Sequence, residues 1–127
     1  MPIQIEIICE NRIVLQTFSD PLDSNQLIEL RKKMYHVILP AATQKLYIIA
    51  DFQGVKNPPS TLLSSATGMV RTRHANAGLL VCVSAHPLLT AMAHALSELV
   101  PQRPLIVVSS LEAALERIRP LLEPVNS

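Results

Sequence analysis

Residues 46–52 read LYIIADF, a nearly unbroken apolar run that reaches Asp51 and gives way to the polar turn Gln53–Asn57. A run of this kind, β-branched at its centre and too short for a helix, suits a strand covered by packing on both faces. It belongs in the middle of a sheet. The sequence on either side should then supply helices, and it does.

Upstream, Ile3, Ile5 and Ile7 alternate with Gln4 and Glu6, and Arg12–Phe18 continues in β-favouring residues after Glu10-Asn11, so the amino terminus predicts a hairpin. Asp20-Pro21 and Asp23 with Gln26 offer two helix starts, and Leu27, Leu30, Met34 and Ile38 hold a helical stripe that Pro40 should end. Glu29, Arg31, Lys32 and Lys33 form the solvated face of that helix. Downstream, Pro58-Pro59-Ser60 opens a second helix whose apolar positions, Leu62, Leu63, Ala66, Met69 and Val70, keep the 3.6-residue period. Leu79–Val83 (LLVCV) is a buried strand, and His86-Pro87 begins a third helix that runs to Val100. Leu105–Val108 (LIVV) is a fifth strand, and Ser109 with Glu112 forms a capping box for a fourth helix that Pro120 and Pro124 stop.

The expected fold is α/β: a mainly parallel five-stranded sheet with an N-terminal β-hairpin, four helices and right-handed crossovers. The chain of 127 residues predicts one domain over residues 1–119 and a loose tail over 120–127. Cys9 and Cys82 lie in apolar runs without a CxxC pair, so both are expected to be reduced core thiols. The outer face of the third helix carries Ala91, Ala93 and Ala95, its inward stripe being Leu88, Met92, Leu96 and Leu99; that small-residue face predicts a homodimer.

Composition excludes several functions. A formal charge of +1 and only Phe18, Tyr35, Tyr47 and Phe52 as aromatics argue against nucleic acid, which needs a basic surface or stacking platforms. Ala75–Ser97 has no charged residue, but polar positions and His86-Pro87 divide it into a strand and a helix rather than a membrane span. The first eight residues lack a signal peptide's basic start, which makes the cytoplasm the expected location. No GxSxG elbow is present, and Gly54, Gly68 and Gly78 are too far apart for a phosphate loop. His36, His74 and His94 show no ligand spacing, so neither metal nor cofactor is expected. The chain does not read as an enzyme.

In an open α/β sheet the informative residues gather at the carboxyl ends of the strands. Asp51 and Ser84 stand where a response-regulator receiver carries its phosphoacceptor and hydroxyl, but Cys9-Glu10 and Ser109 occupy the places of that family's acidic pair and lysine. His86 is a turn or capping residue at the start of the third helix.

Leu46–Leu63 (LYIIADFQGVKNPPSTLL) resembles the signature region of the STAS domain, the SpoIIAA-like family of anti-sigma-factor antagonists. In that family a buried strand ends in an Asp-x-Ser-Gly/His-Val type turn, and Asp-Ser-Ser/Thr-Gly opens the next helix. Asp51, Gly54 and Val55 match the first part, and Ser60-Thr61 falls on the Ser-Ser/Thr pair. Leu105–Ile118 resembles the family's last strand and helix. Pro59 replaces the acidic residue before the phosphorylated serine, and Leu62 replaces the helix-opening glycine, which marks a divergent member.

The resemblance implies a non-enzymatic regulatory module whose protein partner is a kinase-type anti-sigma factor. Phosphorylation at Ser60 would add a charge of about −1.5 to −2 at a helix start. A plain N-cap explains the same serine, and the loss of the acidic neighbour favours the cap. Partner or ligand contacts are expected from Asp51, Gly54, Pro58, Pro59, Ser84 and His86. The alternative is a small-molecule or lipid-binding domain on the same fold, using the apolar Pro58–Met69 region and the third helix.

Overall fold

The computed structural model describes residues 3–58, 76–99 and 105–122. Its five strands are β1 (Ile3–Ile8), β2 (Ile13–Ser19), β3 (Leu46–Gly54), β4 (Ala77–Val83) and β5 (Leu105–Val108). They lie in the order β1-β2-β3-β4-β5. β1 and β2 are antiparallel and every other pair is parallel, so the expected mixed sheet is present, with LYIIADF at its centre and β1 at an edge. Among the described residues three helices accompany it: α1 (Ser24–Lys33), α2 (Pro87–Leu99) and α3 (Leu111–Leu122). The helix expected after Pro58, with Leu62, Leu63, Ala66, Met69 and Val70, lies outside the described residues.

The two faces of the sheet hold separate cores. Val14, Phe18, Ile48, Ala50 and Cys82 face α1 and α2, whereas Ile13, Ile49, Val81 and Val83 face Ala114 and Ile118 of α3. Strict alternation along β3 produces this split, and it explains why LYIIADF is apolar at almost every position. Ile49, Val81, Val83, Ala114 and Ile118 are fully buried.

Helix α1 begins as its sequence predicts. The Asp23 carboxylate accepts from the Gln26 N–H at 2.9 Å and the Gln26 side chain accepts from the Asp23 N–H at 2.9 Å, a reciprocal capping box. Leu27, Leu30, Met34 and Ile38 are all buried. Pro40 does not end the helix. A π-helical turn over Met34–Ile38 comes first, in which the Leu39 N–H reaches back to the Met34 carbonyl, and a last turn, Leu39–Ala41, takes Pro40 into the helix. The widened turn offsets the hydrogen-bond ladder just where the proline lacks its donor.

Other boundaries also differ from the sequence reading. Cys9 is an exposed turn residue rather than a core thiol, while Cys82 is buried; both are free. Cys9, Glu10 and Asn11 take φ of 54°, 57° and 63°, three successive left-handed residues that close the hairpin without a glycine. Strand β3 continues past Asp51 to Gly54. On α2 the buried positions are Leu89, Ala93 and Leu96; Leu96 agrees with the expected stripe, whereas Leu88 is exposed and Leu89 and Ala93 take the inward places expected of Leu88 and Met92. Ser110, not Ser109, caps α3: its Oγ accepts from the Ala113 N–H at 3.1 Å. Pro120 lies inside α3, which runs to Leu122.

Candidate functional site

Parallel pairing brings the carboxyl ends of β2, β3, β4 and β5 to one edge of the sheet. Ser19 lies beside Gly54, Asp51 beside Val83, and Val83 beside Val108. Gly54 is required here by proximity rather than by its backbone angles, because its φ is not positive. A Cβ on Gly54 would stand 2.9 Å from the Phe18 carbonyl oxygen and 3.3 Å from Ser19 Cβ. The close approach lets the Asp20 N–H donate to the Gly54 carbonyl at 3.4 Å.

Asp20 then organises the loop after β3. Its carboxylate accepts from the Lys56 N–H at 2.8 Å and the Asn57 N–H at 3.3 Å. Val55 is buried beneath this loop and donates to the Phe52 carbonyl at 3.0 Å. The chain is thus fixed as far as half-buried Pro58, the start of the segment that carries Ser60. Asp51, half-buried, serves its own turn, its Oδ1 accepting from the Gln53 N–H at 3.0 Å.

Ser84 and His86 form a second, linked unit. The Ser84 N–H donates to the Val108 carbonyl at 3.0 Å, and its Oγ accepts from the His86 N–H at 3.1 Å. His86 caps α2: its Nδ1 accepts from the Leu88 N–H at 3.1 Å and its carbonyl from the Thr90 N–H at 2.9 Å. An accepting Nδ1 places the ring proton on Nε2. Ser84 is buried and shares a face of the sheet with Cys82, whereas alternation puts Asp51 on the α3 face with Ile49. The receiver-like pairing of Asp51 with Ser84 is therefore not assembled.

On the face shared with α1 and α2, residues including Gln16, Phe18, Met34, Phe52, Ser84 and Met92 line an apolar cavity of about 100 Å³. Phe18 and Phe52 stack in its wall with ring centroids 4.3 Å apart. Gln16 and Ser84 are the buried polar residues among those described. Burial without a compensating charge pushes the Cys82 thiol up to about 12, which keeps it protonated and unreactive. Among the described residues no group of three or more His, Cys, Asp or Glu is placed to hold a metal. No described helix is long and apolar enough to cross a membrane.

Of the residues expected to form the site, the structure gathers Asp51, Gly54, Pro58, Ser84 and His86 at one sheet edge. It gives Asp51, Ser84 and His86 local hydrogen bonds. Pro59, Ser60 and Thr61 lie outside the described residues. Gln16 was not expected, and Asp20, within the strand-end stretch Phe18–Asp20, reads in the sequence as a helix start rather than a site residue. Asp20 could have been found as a carboxylate ending a strand opposite the glycine-containing turn; Gln16 is a lone amide within the apolar run IVLQTF.

No protein-family model matches the chain, and no curated protein sequence does. Solved structures do. The structure of the anti-sigma factor antagonist SpoIIAA in its unphosphorylated form is similar over 92% of this chain and 97% of its own, with a TM-score of 0.65 and 20% identity. That of the Bacillus cell fate determinant SpoIIAA in the phosphorylated form covers 92% and 99%, with a TM-score of 0.64 and 21% identity. The fold is SpoIIAA-like, of the STAS type, and at this identity the likeness is one of fold.

Proposed function

We propose that this chain is a non-enzymatic regulatory interaction module of the STAS type, a homologue of the anti-sigma-factor antagonists acting in the cytoplasm. Its partner is a kinase-type anti-sigma factor, held by the segment that starts at Pro58 and by the neighbouring strand-end loops. The observation that carries this reading is a fold match spanning nearly the whole of both chains, with SpoIIAA in its unphosphorylated and phosphorylated forms alike. The ordering of Val55–Pro58 by Asp20 and Gly54 supports it, because a partner surface needs a rigid base.

Ser60 is assigned as a helix cap rather than a phosphoacceptor, since Pro59 replaces the acidic neighbour. Two variants test the assignment in pull-downs against lysate and in thermal melts. With a capping role, Ser60→Asp leaves partner capture intact, and Ser60→Ala costs ~0.5 to 2 kcal/mol of stability. Loss of capture by Ser60→Asp at unchanged stability would instead establish a phosphorylation switch.

The cavity favours a second reading, a small-molecule or lipid-binding domain. Its wall is mostly apolar, with buried Gln16 and Ser84 among its few polar groups, the pattern of a site that orients an apolar ligand. Native mass spectrometry separates the two: a co-purifying small molecule supports this reading, and an apo chain that captures a kinase-like protein supports the first.

A further inference from the structure

The edge strand β1 lies apart from the strand-end site of β2 to β5. Soluble proteins usually blunt a free sheet edge with a lysine, a proline or a bulge. Residues Ile3–Ile8 contain no lysine or proline and a single charge, exposed Glu6, and their pairing with β2 runs without a register shift from Ile3 opposite Phe18 to Ile8 opposite Ile13. The other side of the strand is paired with nothing among the described residues. Ile7 is 46% exposed on the same face as half-buried Ile3 and Ile5.

We propose that a second copy of this chain pairs antiparallel with β1, Ile5 against the partner's Ile5, joining the two sheets into one. Three physical constraints select that register. A two-fold axis falling between residues would set outward-pointing backbone groups against ones already committed to β2, so the axis must pass through a residue. Passing it through Glu6 brings two carboxylates face to face, which is unfavourable. Passing it through Gln4 leaves only Ile3–Ile5 in the ladder. With the axis at Ile5, Ile3 meets the partner's Ile7 on one face and Gln4 meets the partner's Glu6 on the other, amide donor to carboxylate.

The surroundings are complementary in the same symmetry. An open groove beside β1 is lined by Ile3 and Ile5 and by Asp23, Glu29, Lys32 and Lys33 of α1. An axis perpendicular to the sheet sets the two α1 helices antiparallel. Asp23, the N-cap of one, then lies toward the basic end of the other, with Lys32 and Lys33, while Glu29 is paired with Lys32 of its own helix at 3.8 Å. A self-complementary patch is what an isologous dimer requires. The outer face of α2, where the sequence placed the dimer, is weaker ground because Ala93 is buried against the sheet. A five-residue ladder makes a small contact, so the dimer belongs to the weak, reversible class.

Sedimentation equilibrium of the full chain, up to hundreds of micromolar, tests this. The wild type is expected to show a monomer–dimer equilibrium. Gln4→Lys should tighten it, and Gln4→Glu should weaken it by roughly 2- to 30-fold, as two symmetric cross-strand pairs change together. The matched pair Ala95→Lys and Ala95→Glu on α2 should leave it unchanged. In a Cys9→Ser background, Ile5→Cys should form an intermolecular disulfide across the axis. Ile7→Cys should not, because its counterpart lies several residues away along the ladder. A strict monomer, or an equilibrium that responds to Ala95 and not to Gln4, would overturn the proposal; so would equal cross-linking at the two cysteine positions.

Discussion

Substituting alanine at Gly54 and at Gly78 compares two similar overlaps against different obstacles. At Gly54 the new methyl would sit 2.9 Å from the Phe18 carbonyl oxygen, a backbone atom in the paired strand β2. At Gly78 it would sit 2.9 Å from two ring carbons of half-buried Tyr47, a side chain that can tilt. Relieving the first overlap means prising the carboxyl ends of β2 and β3 apart, and overpacking of that kind costs ~1 to 3 kcal/mol. Restricting the unfolded chain returns ~0.4 to 1 kcal/mol in both variants, since neither glycine has a positive φ. The net expectation is a loss of about 1 to 2 kcal/mol for Gly54→Ala and close to zero for Gly78→Ala. In urea titrations, with a slope of order 2 kcal/mol per molar, the Gly54→Ala midpoint falls by roughly 0.5 to 1 M. The same change should shift the Val55–Pro58 loop and weaken partner capture. If Gly54→Ala unfolds at the same urea concentration as Gly78→Ala, the close strand approach is not what makes glycine necessary there.

Three further predictions concern single side chains. Because the buried Cys82 thiol is raised to about 12, it stays neutral in the folded chain while the unfolded chain ionises above about pH 9. Stability is therefore unaffected by this group well below pH 9 and falls by about 1.4 kcal/mol per pH unit between about pH 9 and 12, a slope that Cys82→Ala should reduce in alkaline denaturant titrations. In the native protein a thiol reagent should label exposed Cys9 and leave Cys82 untouched until unfolding. At α3, Ser110→Ala should cost ~0.5 to 2 kcal/mol in thermal melts and Ser109→Ala almost nothing; the reverse order would return the cap to Ser109.

Local pattern determined the type of the described strands and main helices, because apolar spacing, run length and β-branching each favour one kind of backbone; the helix expected after Pro58 lies outside the described residues. LYIIADF could be placed at the centre of a sheet because its apolar run is nearly unbroken, short and β-branched, and the Asp23–Gln26 capping box was legible because both halves lie within one helical turn. Phase and termination were not legible in the same way. Whether Leu88 or Leu89 faces the sheet depends on where His86 caps α2, and whether Pro40 and Pro120 end their helices depends on the hydrogen-bond ladder around them. Cys9 looked like the end of a strand and became a turn once β1 and β2 settled their register. Only tertiary structure could join Asp20 to Lys56 and Asn57, set Gly54 against the Phe18 carbonyl, and turn Asp51 and Ser84 to opposite faces. These contacts link residues far apart in sequence, so no local pattern encodes them; pairing of the strands into one parallel sheet does.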